Sequence, residues 1–226
     1  MLRIDPLTPF LATVPQALIE NLWVGVDRAF KTAHDQAMSY DPQDRTQARG
    51  QFRHLNLEHE FRNAANCSGL SGKAHKTFPP GGKYSVIRAN FIDLLRAAPL
   101  KNLGTPRKTN FRKVYTSYNE WIKPNQKNLF DPTHEPPRDR ICAMLIVADR
   151  NSAHSDPETP DFVGISFPAP DLSGWLRPIL SLTEILNLYH DASESAVVGR
   201  PSNRRAGVGD HAQPQLKPGA VPRSKR

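Results

Sequence analysis

The chain has 226 residues, 38% of them hydrophobic, and a net charge of +8 at pH 7. This length suits one large domain or two small ones, and the apolar content is enough to build a core, which excludes a wholly disordered protein. The 21 prolines predict long loops between the regular elements.

The beginning of the chain differs from a secretory signal peptide, because Asp5, Pro6 and Pro9 interrupt its apolar residues. No apolar run approaches the roughly 20 residues of a membrane span, so we expect no membrane partner. The two cysteines, Cys67 and Cys142, form neither a disulfide framework nor a zinc motif, and they predict reduced thiols. We therefore expect a cytoplasmic protein with no metal and no other cofactor.

The first part of the chain has the spacing of two long helices. Apolar or small side chains recur at helical intervals between residues 14 and 38, at Leu18, Leu22, Val26, Ala29, Ala33 and Ala37. A second helix is predicted from about residue 41 to residue 66, followed by Gly69 as a C-terminal glycine. Two long helices joined by a short turn predict an N-terminal helical hairpin.

The middle of the chain predicts strands. Prolines and glycines at residues 79–82 cannot continue a helix, and the β-branched and aromatic residues after them predict strands at residues 84–88 and 91–96. The turn between them, Ala89-Asn90, is weaker than Asn-Gly, so the second segment could instead be a short helix. A helix is then predicted from Thr105 and Pro106 to Pro124.

The later part of the chain predicts two more strands and a last helix. Residues 140–148, RICAMLIVA, have the length and continuous apolar character of a buried central strand. Residues 162–167 predict another strand. Ser181 and Glu184 form an S-x-x-E capping box, which predicts a short helix that ends near His190.

The order α-α-β-β-α-β-β-α lacks the repeated βαβ units of a parallel sheet. We therefore predict one α+β domain over residues 1–192, in which the N-terminal helical hairpin packs on a small, mainly antiparallel sheet of four strands. Residues 193–226 are rich in Gly, Pro, Ser and basic residues, with few apolar side chains. This composition predicts a disordered basic C-terminal tail.

One predicted helical stripe carries candidate catalytic residues. His54, Glu58 and Arg62 recur every four residues within RHLNLEHEFR, which places them on one face. His54 and His59 do not have the four-residue separation of the two zinc ligands in H-E-x-x-H, so the spacing excludes that metalloprotease motif. An intrahelical charge network, in which Glu58 bridges His54 and Arg62, is the alternative to a catalytic face.

A basic loop is the second candidate site. Residues 73–83, KAHKTFPPGGK, combine three lysines, His75 and two adjacent glycines in front of a predicted strand. Exposed N–H groups in such a loop could hold a phosphate. However, the pattern is not G-x-x-x-x-G-K-[ST], and no helix is expected after the glycines. The alternative is a solvated connector that happens to be basic.

The largest charge excess inside the predicted domain lies at residues 101–128, with seven Lys or Arg and one Glu. The candidate phosphate-binding cations are Arg107, Lys108, Arg112, Lys113 and Lys123. The aromatic residues among them are Phe111, Tyr115, Tyr118 and Trp121. Cations interleaved with aromatic rings suit phosphate contact combined with base stacking.

Helical periodicity places Tyr118 and Trp121 toward the core on the stripe that begins at Val114. The same periodicity places Arg112, Lys113 and Lys123 nearer the solvent. A solvated basic helix is the alternative to a binding site.

Two classes of function follow from these patterns. The first is a basic protein that binds RNA or DNA, because concentrated cations release counterions from phosphate backbones. Such a protein could also cleave RNA, with the base, acid and cation supplied by His54, Glu58, Arg62 and His75. The second class is a non-catalytic interaction or regulatory subunit of a small bacterial two-gene system, which contacts a protein partner through its helices.

Overall fold

The computed structural model of the chain describes residues 5–77, 82–97, 104–122, 140–148 and 156–198. Within the last of these ranges, side chains are described as far as residue 192. No helix in these ranges is long and apolar enough to cross a membrane.

Three helices open the chain: α1 Leu7–Thr13, α2 Gln16–Met38 and α3 Arg45–Cys67. Pro15 lies directly before α2, where a missing N–H costs little because the first helical N–H groups have no partner within the helix. The two long helices begin and end close to the predicted positions. Helix α1 was not predicted, so this part of the chain contains three helices where two were expected.

Helices α2 and α3 pack against each other, and Gly25 allows a close approach. A Cβ at position 25 would lie 3.2 Å from the Cβ of Glu60 on α3, which is tighter than an ordinary contact. The carboxylate of Glu60 lies 3.2 Å from the Nη1 atom of Arg28, so the buried acid has a counter-charge that reaches it from the solvent.

The described residues form one six-stranded sheet in which the spatial order of the strands follows the chain order. The strands are β1 Ser71–Lys76, β2 Lys83–Ala89, β3 Ile92–Arg96, β4 Ile141–Ala148, β5 Phe162–Ser166 and β6 Leu180–Ser181. Neighbouring strands are antiparallel except β3 and β4, which are parallel. The α+β class is thus confirmed, whereas the four-stranded sheet is wrong because β1 and β6 were not predicted.

Strand β4 lies at the centre of the molecule, and all of its residues are buried. On one face its side chains, Leu145 among them, pack against α2 and α3. On the other face, Cys142 and Met144 pack with β2 and β3 and with aromatic residues of the chain between β3 and β4. Burial on both faces is the reason for the continuous apolar run that predicted this strand.

The connection from β3 to β4 contains α4 Asn110–Thr116, which continues as a 3₁₀ helix over Ser117–Ile122. The last described element is α5 Leu182–Val198. At its start, the N–H of Glu184 donates to Ser181 Oγ and the N–H of Ser181 donates to Glu184 Oε2, as the capping box predicts. Helix α5 continues past residue 192, and residues 199–226 of the predicted tail lie outside the described residues.

Candidate functional site

The predicted stripe on α3 meets the end of β3 through a residue that the sequence analysis did not single out. Arg96 is the last residue of β3, and its side chain is only 3% exposed. Its Nε atom donates to Glu58 Oε1 at 3.0 Å, and its Nη2 atom donates to His54 Nδ1 at 2.8 Å. Two of the three stripe residues therefore bind one buried guanidinium.

This arrangement fixes the protonation of His54. A guanidinium has only donors, so Nδ1 of His54 must accept, and the neutral ring carries its proton on Nε2. Burial lowers the pKa of His54, with a further lowering from the charge of Arg96, while Glu58 acts in the opposite direction. The ring is therefore neutral at pH 7, and its basic nitrogen is occupied by Arg96.

Arg62, the third stripe residue, connects α3 to β2. Its Nη1 atom donates to Ser85 Oγ at 2.9 Å and lies 3.8 Å from Glu58 Oε2. The stripe is thus a charge network between a helix and the sheet. Glu58 does lie between His54 and Arg62, but Arg96 connects it to His54, so the network extends beyond the helix.

Arg112 is buried, with 6% of its surface exposed, and the prediction that it lies nearer the solvent is wrong. Its Nη1 and Nη2 atoms donate to the backbone carbonyls of Arg107 at 3.0 Å and Arg96 at 3.4 Å. Burial, together with the charges of Arg96 and Arg107, lowers the pKa of Arg112 to about 10, so it stays charged at pH 7. Val114, which was placed toward the core, is exposed.

The buried side of this segment is mostly polar, which explains the error. Its buried residues are Arg112, Thr116, Asn119 and Ile122. Asn119 donates to the carbonyls of Cys142 and Pro168 and accepts from the N–H of Cys142. Thr116 Oγ1 donates to the carbonyl of Pro170. Because these side chains satisfy backbone groups of distant segments, they occupy the inner side that an apolar stripe was expected to fill.

An aromatic stack connects the two basic segments of the sequence. His75 on β1 lies opposite Tyr84 on β2 in the strand register, and their rings stack with centroids 5.4 Å apart. Phe111 of α4 stacks on Tyr84 at 4.0 Å. His75 thus belongs to this stack, and no described contact joins it to His54, Glu58 or Arg62.

Exposed cations lie on the two segments that form the stack. They are Lys73, Lys76 and Lys83 on β1 and β2, and Arg107, Lys108 and Lys113 on the segment that contains α4. Residues 71–89 and 104–116 contain eight Lys or Arg and no Asp or Glu. Lys76 and Lys83 alternate to the other face of the hairpin from His75 and Tyr84. The other four cations together with His75, Tyr84 and Phe111 form what we call the basic aromatic surface. Lys123, the remaining candidate cation, lies outside the described residues.

The basic loop at residues 73–83 is described in part. Its first residues belong to β1, and residues 78–81 lie outside the described part. The N–H of Gly82 donates to Thr77 Oγ1 at 3.0 Å, and the N–H of Thr77 donates to the carbonyl of Gly82 at 2.9 Å. These two N–H groups are therefore used within the hairpin and not by an anion.

A second charged group lies on the opposite face of β3. The side chain of Asp93 is 1% exposed, and its carboxylate lies 2.9 Å from Arg88 Nε and 3.3 Å from Arg140 Nη1. An acid within the apolar run FIDLLR was the available sequence signal for this group. Two guanidinium partners make Asp93 a structural ion-pair centre of this face.

Among the described residues, no three His, Cys, Asp or Glu side chains are grouped so that they could hold a metal ion. Comparisons of the chain with protein-family models, with curated proteins and with solved structures find no match.

Proposed function

We propose that the protein binds single-stranded RNA or DNA through the basic aromatic surface. The observation that carries this proposal is the stack of His75, Tyr84 and Phe111, with exposed cations on the same two segments. Single-strand binders combine cations that follow the phosphate backbone with rings on which bases stack. The three rings are only partly buried, so they retain surface for a base.

Electrostatics support the same surface. No carboxylate of the two basic segments competes with a phosphate for these cations. Among the described residues, the guanidinium groups of Arg62, Arg96 and Arg112 lie near one carboxylate, that of Glu58. This buried network has a net positive charge and adds to the positive potential of the molecule around it.

The geometry favours binding over RNA cleavage. A general base needs an available lone pair within reach of the substrate hydroxyl. His54 Nδ1 and Glu58 Oε1 both accept hydrogen bonds from Arg96. His75 has no described contact with either residue, which supports binding over cleavage by these four residues.

The proposal is tested by fluorescence anisotropy with labelled oligonucleotides of roughly 12 nucleotides, a length within the site sizes of single-strand binders. Lys108→Gln combined with Lys113→Gln should weaken binding, because both side chains are exposed. For each phosphate contact removed, the slope of log K against log salt should decrease by about 0.7. Stability should change by less than about 0.5 kcal/mol.

Lys31→Gln combined with Arg45→Gln is the matched control, since it removes the same charge from α2 and α3, away from the basic aromatic surface. The control should bind like the parent protein. Equal affinity and salt slope in the Lys108 and Lys113 variant would remove this surface from the interface. No binding by the parent at about 50 mM salt, where phosphate contacts are strong, would make the protein-interaction subunit the leading alternative.

A further inference from the structure

A cavity of about 290 Å³ lies at the opposite edge of the sheet from the basic aromatic surface. Its walls come from α2, from the start of β5 with the loop before it, and from the junction of β6 and α5. The basic aromatic surface lies at the β1 edge, and this cavity lies at the β5 and β6 edge. The two features are therefore separate sites.

Two aromatic side chains contribute to the walls of the cavity. Trp23 lies on the same side of α2 as Val26 and Asp27, and it is 47% exposed. Phe162 comes from the start of β5, where Gly164 makes room for its ring. A Cβ at position 164 would lie 2.7 Å from that ring and 2.4 Å from the carbonyl oxygen of Leu180. Glycine thus allows the ring and β6 to come this close to β5.

The segments that form the cavity are acidic, although the whole chain has a net charge of +8. Residues 16–27, 156–166 and 180–192 contain seven Asp or Glu and no Lys or Arg. Asp27 and Asp161 line the cavity, and its described lining includes no Lys, Arg or His. Lys31 bonds to Asp27 at 2.9 Å from outside the lining. A ligand in the cavity therefore meets carboxylates, hydroxyls and aromatic rings.

We propose that this cavity binds an organic cation, namely an ammonium or guanidinium group carried on a short apolar chain. Trp is the side chain that attracts a cation most strongly through its ring face, and carboxylates accept the N–H groups of such a ligand. Val26 and Phe162 provide apolar contacts for the chain of the ligand. The volume lies at the lower end of small-molecule sites, which suits a ligand of amino-acid size.

Argininamide is the probe, and citrullinamide is its control because it has nearly the same shape and lacks the guanidinium charge. Titration at constant ionic strength, followed by tryptophan fluorescence and by calorimetry, should give a Kd on the order of 1 mM for argininamide. Citrullinamide should bind at least roughly 5-fold more weakly, which is the loss of one cation–ring contact expressed as affinity. Equal binding of both compounds, or no binding of argininamide up to roughly ten times that Kd, would overturn the proposal.

Variants locate the site. Trp23→Leu should weaken argininamide binding roughly 5- to 30-fold, and Asp27→Asn should weaken it several-fold. Glu20→Gln is the matched control, because it removes a carboxylate from α2 that does not line the cavity, and it should bind like the parent. All three side chains are at least partly exposed, so the variants should fold, as circular dichroism can verify. Unchanged binding in the Trp23 and Asp27 variants would place the ligand elsewhere.

Discussion

The network between α3 and β3 predicts that Glu58 is structural. Its Oε1 atom accepts from Nε of Arg96 at 3.0 Å and lies 2.9 Å from Nη2 of the same guanidinium. Glu58→Gln keeps the shape of the side chain and removes the one described carboxylate within ion-pair distance of Arg96. The guanidinium then stays buried without a counter-charge, and breaking a buried pair in this way costs about 3–5 kcal/mol. Because the Glu58 side chain is 13% exposed, we expect the lower end, about 3 kcal/mol.

Urea denaturation followed by circular dichroism measures this loss in the free energy of unfolding. Arg96→Met should also destabilise the protein, and the double variant should be less destabilised than the two single changes added together, by about 1–3 kcal/mol. Glu20→Gln, an exposed carboxylate on α2, should change stability by less than about 0.5 kcal/mol. A loss below about 1 kcal/mol in Glu58→Gln would refute the buried pair as a structural element.

Two further predictions concern pH and the core. The pKa of His54 is lower in the folded protein than its usual value, so the folded ring binds a proton less readily than the unfolded ring, and stability should fall as pH decreases below about 6.5. His54→Gln should reduce that loss of stability, measured as denaturation midpoints between about pH 7 and pH 5. Identical pH profiles for the parent and the variant would assign the loss to other groups. Leu145→Ala in β4, a side chain 1% exposed, should cost about 2–5 kcal/mol in the same denaturation assay. A cost below about 0.5 kcal/mol would contradict its place in the core.

The elements that the sequence predicted well have a periodicity set by burial. Helices α2 and α3 bury one side, and β4 buries both faces, so their apolar residues recur at the spacing of the element. Strand β1 lies at the sheet edge and has no buried residue, so its sequence, SGKAHK, does not alternate in polarity. Its pairing with β2 is what makes it a strand, and pairing cannot be read from one segment alone.

The candidate site was predicted only in part, because some of its residues are neighbours on one helix and others come from distant parts of the chain. Four-residue spacing was enough to place His54, Glu58 and Arg62 on one face, because that relation is local to a helix. Arg96 was missed because its partners Glu58 and His54 lie 38 and 42 positions earlier in the chain. The stack of Tyr84 on Phe111 likewise depends on how α4 lies on the sheet, which composition does not determine.

Arg112 illustrates a limit of polarity as a guide to burial. A charged residue is expected at the surface, since burying a charge costs free energy unless it is compensated. Here two backbone carbonyls, those of Arg107 and Arg96, accept from the guanidinium. The compensation comes from backbone atoms, whose positions are unknown until the fold is known. Sequence patterns therefore predict that Arg112 and Lys113 are both at the surface, although of the two only Lys113 is exposed.

The two proposed sites have opposite charge and lie at opposite edges of one sheet. Five strand spacings of about 4.8 Å separate β1 from β6, which is about 24 Å. At physiological salt the Debye length is about 8 Å, so the acidic segments should not weaken a nucleic acid bound at the β1 edge. At about 0.01 M salt the Debye length is about 30 Å, and each site then lies within the field of the other. At this low salt, a cation bound in the cavity lined by Trp23 would neutralise part of the acidic edge and strengthen nucleic-acid binding. Raising the salt should abolish this effect.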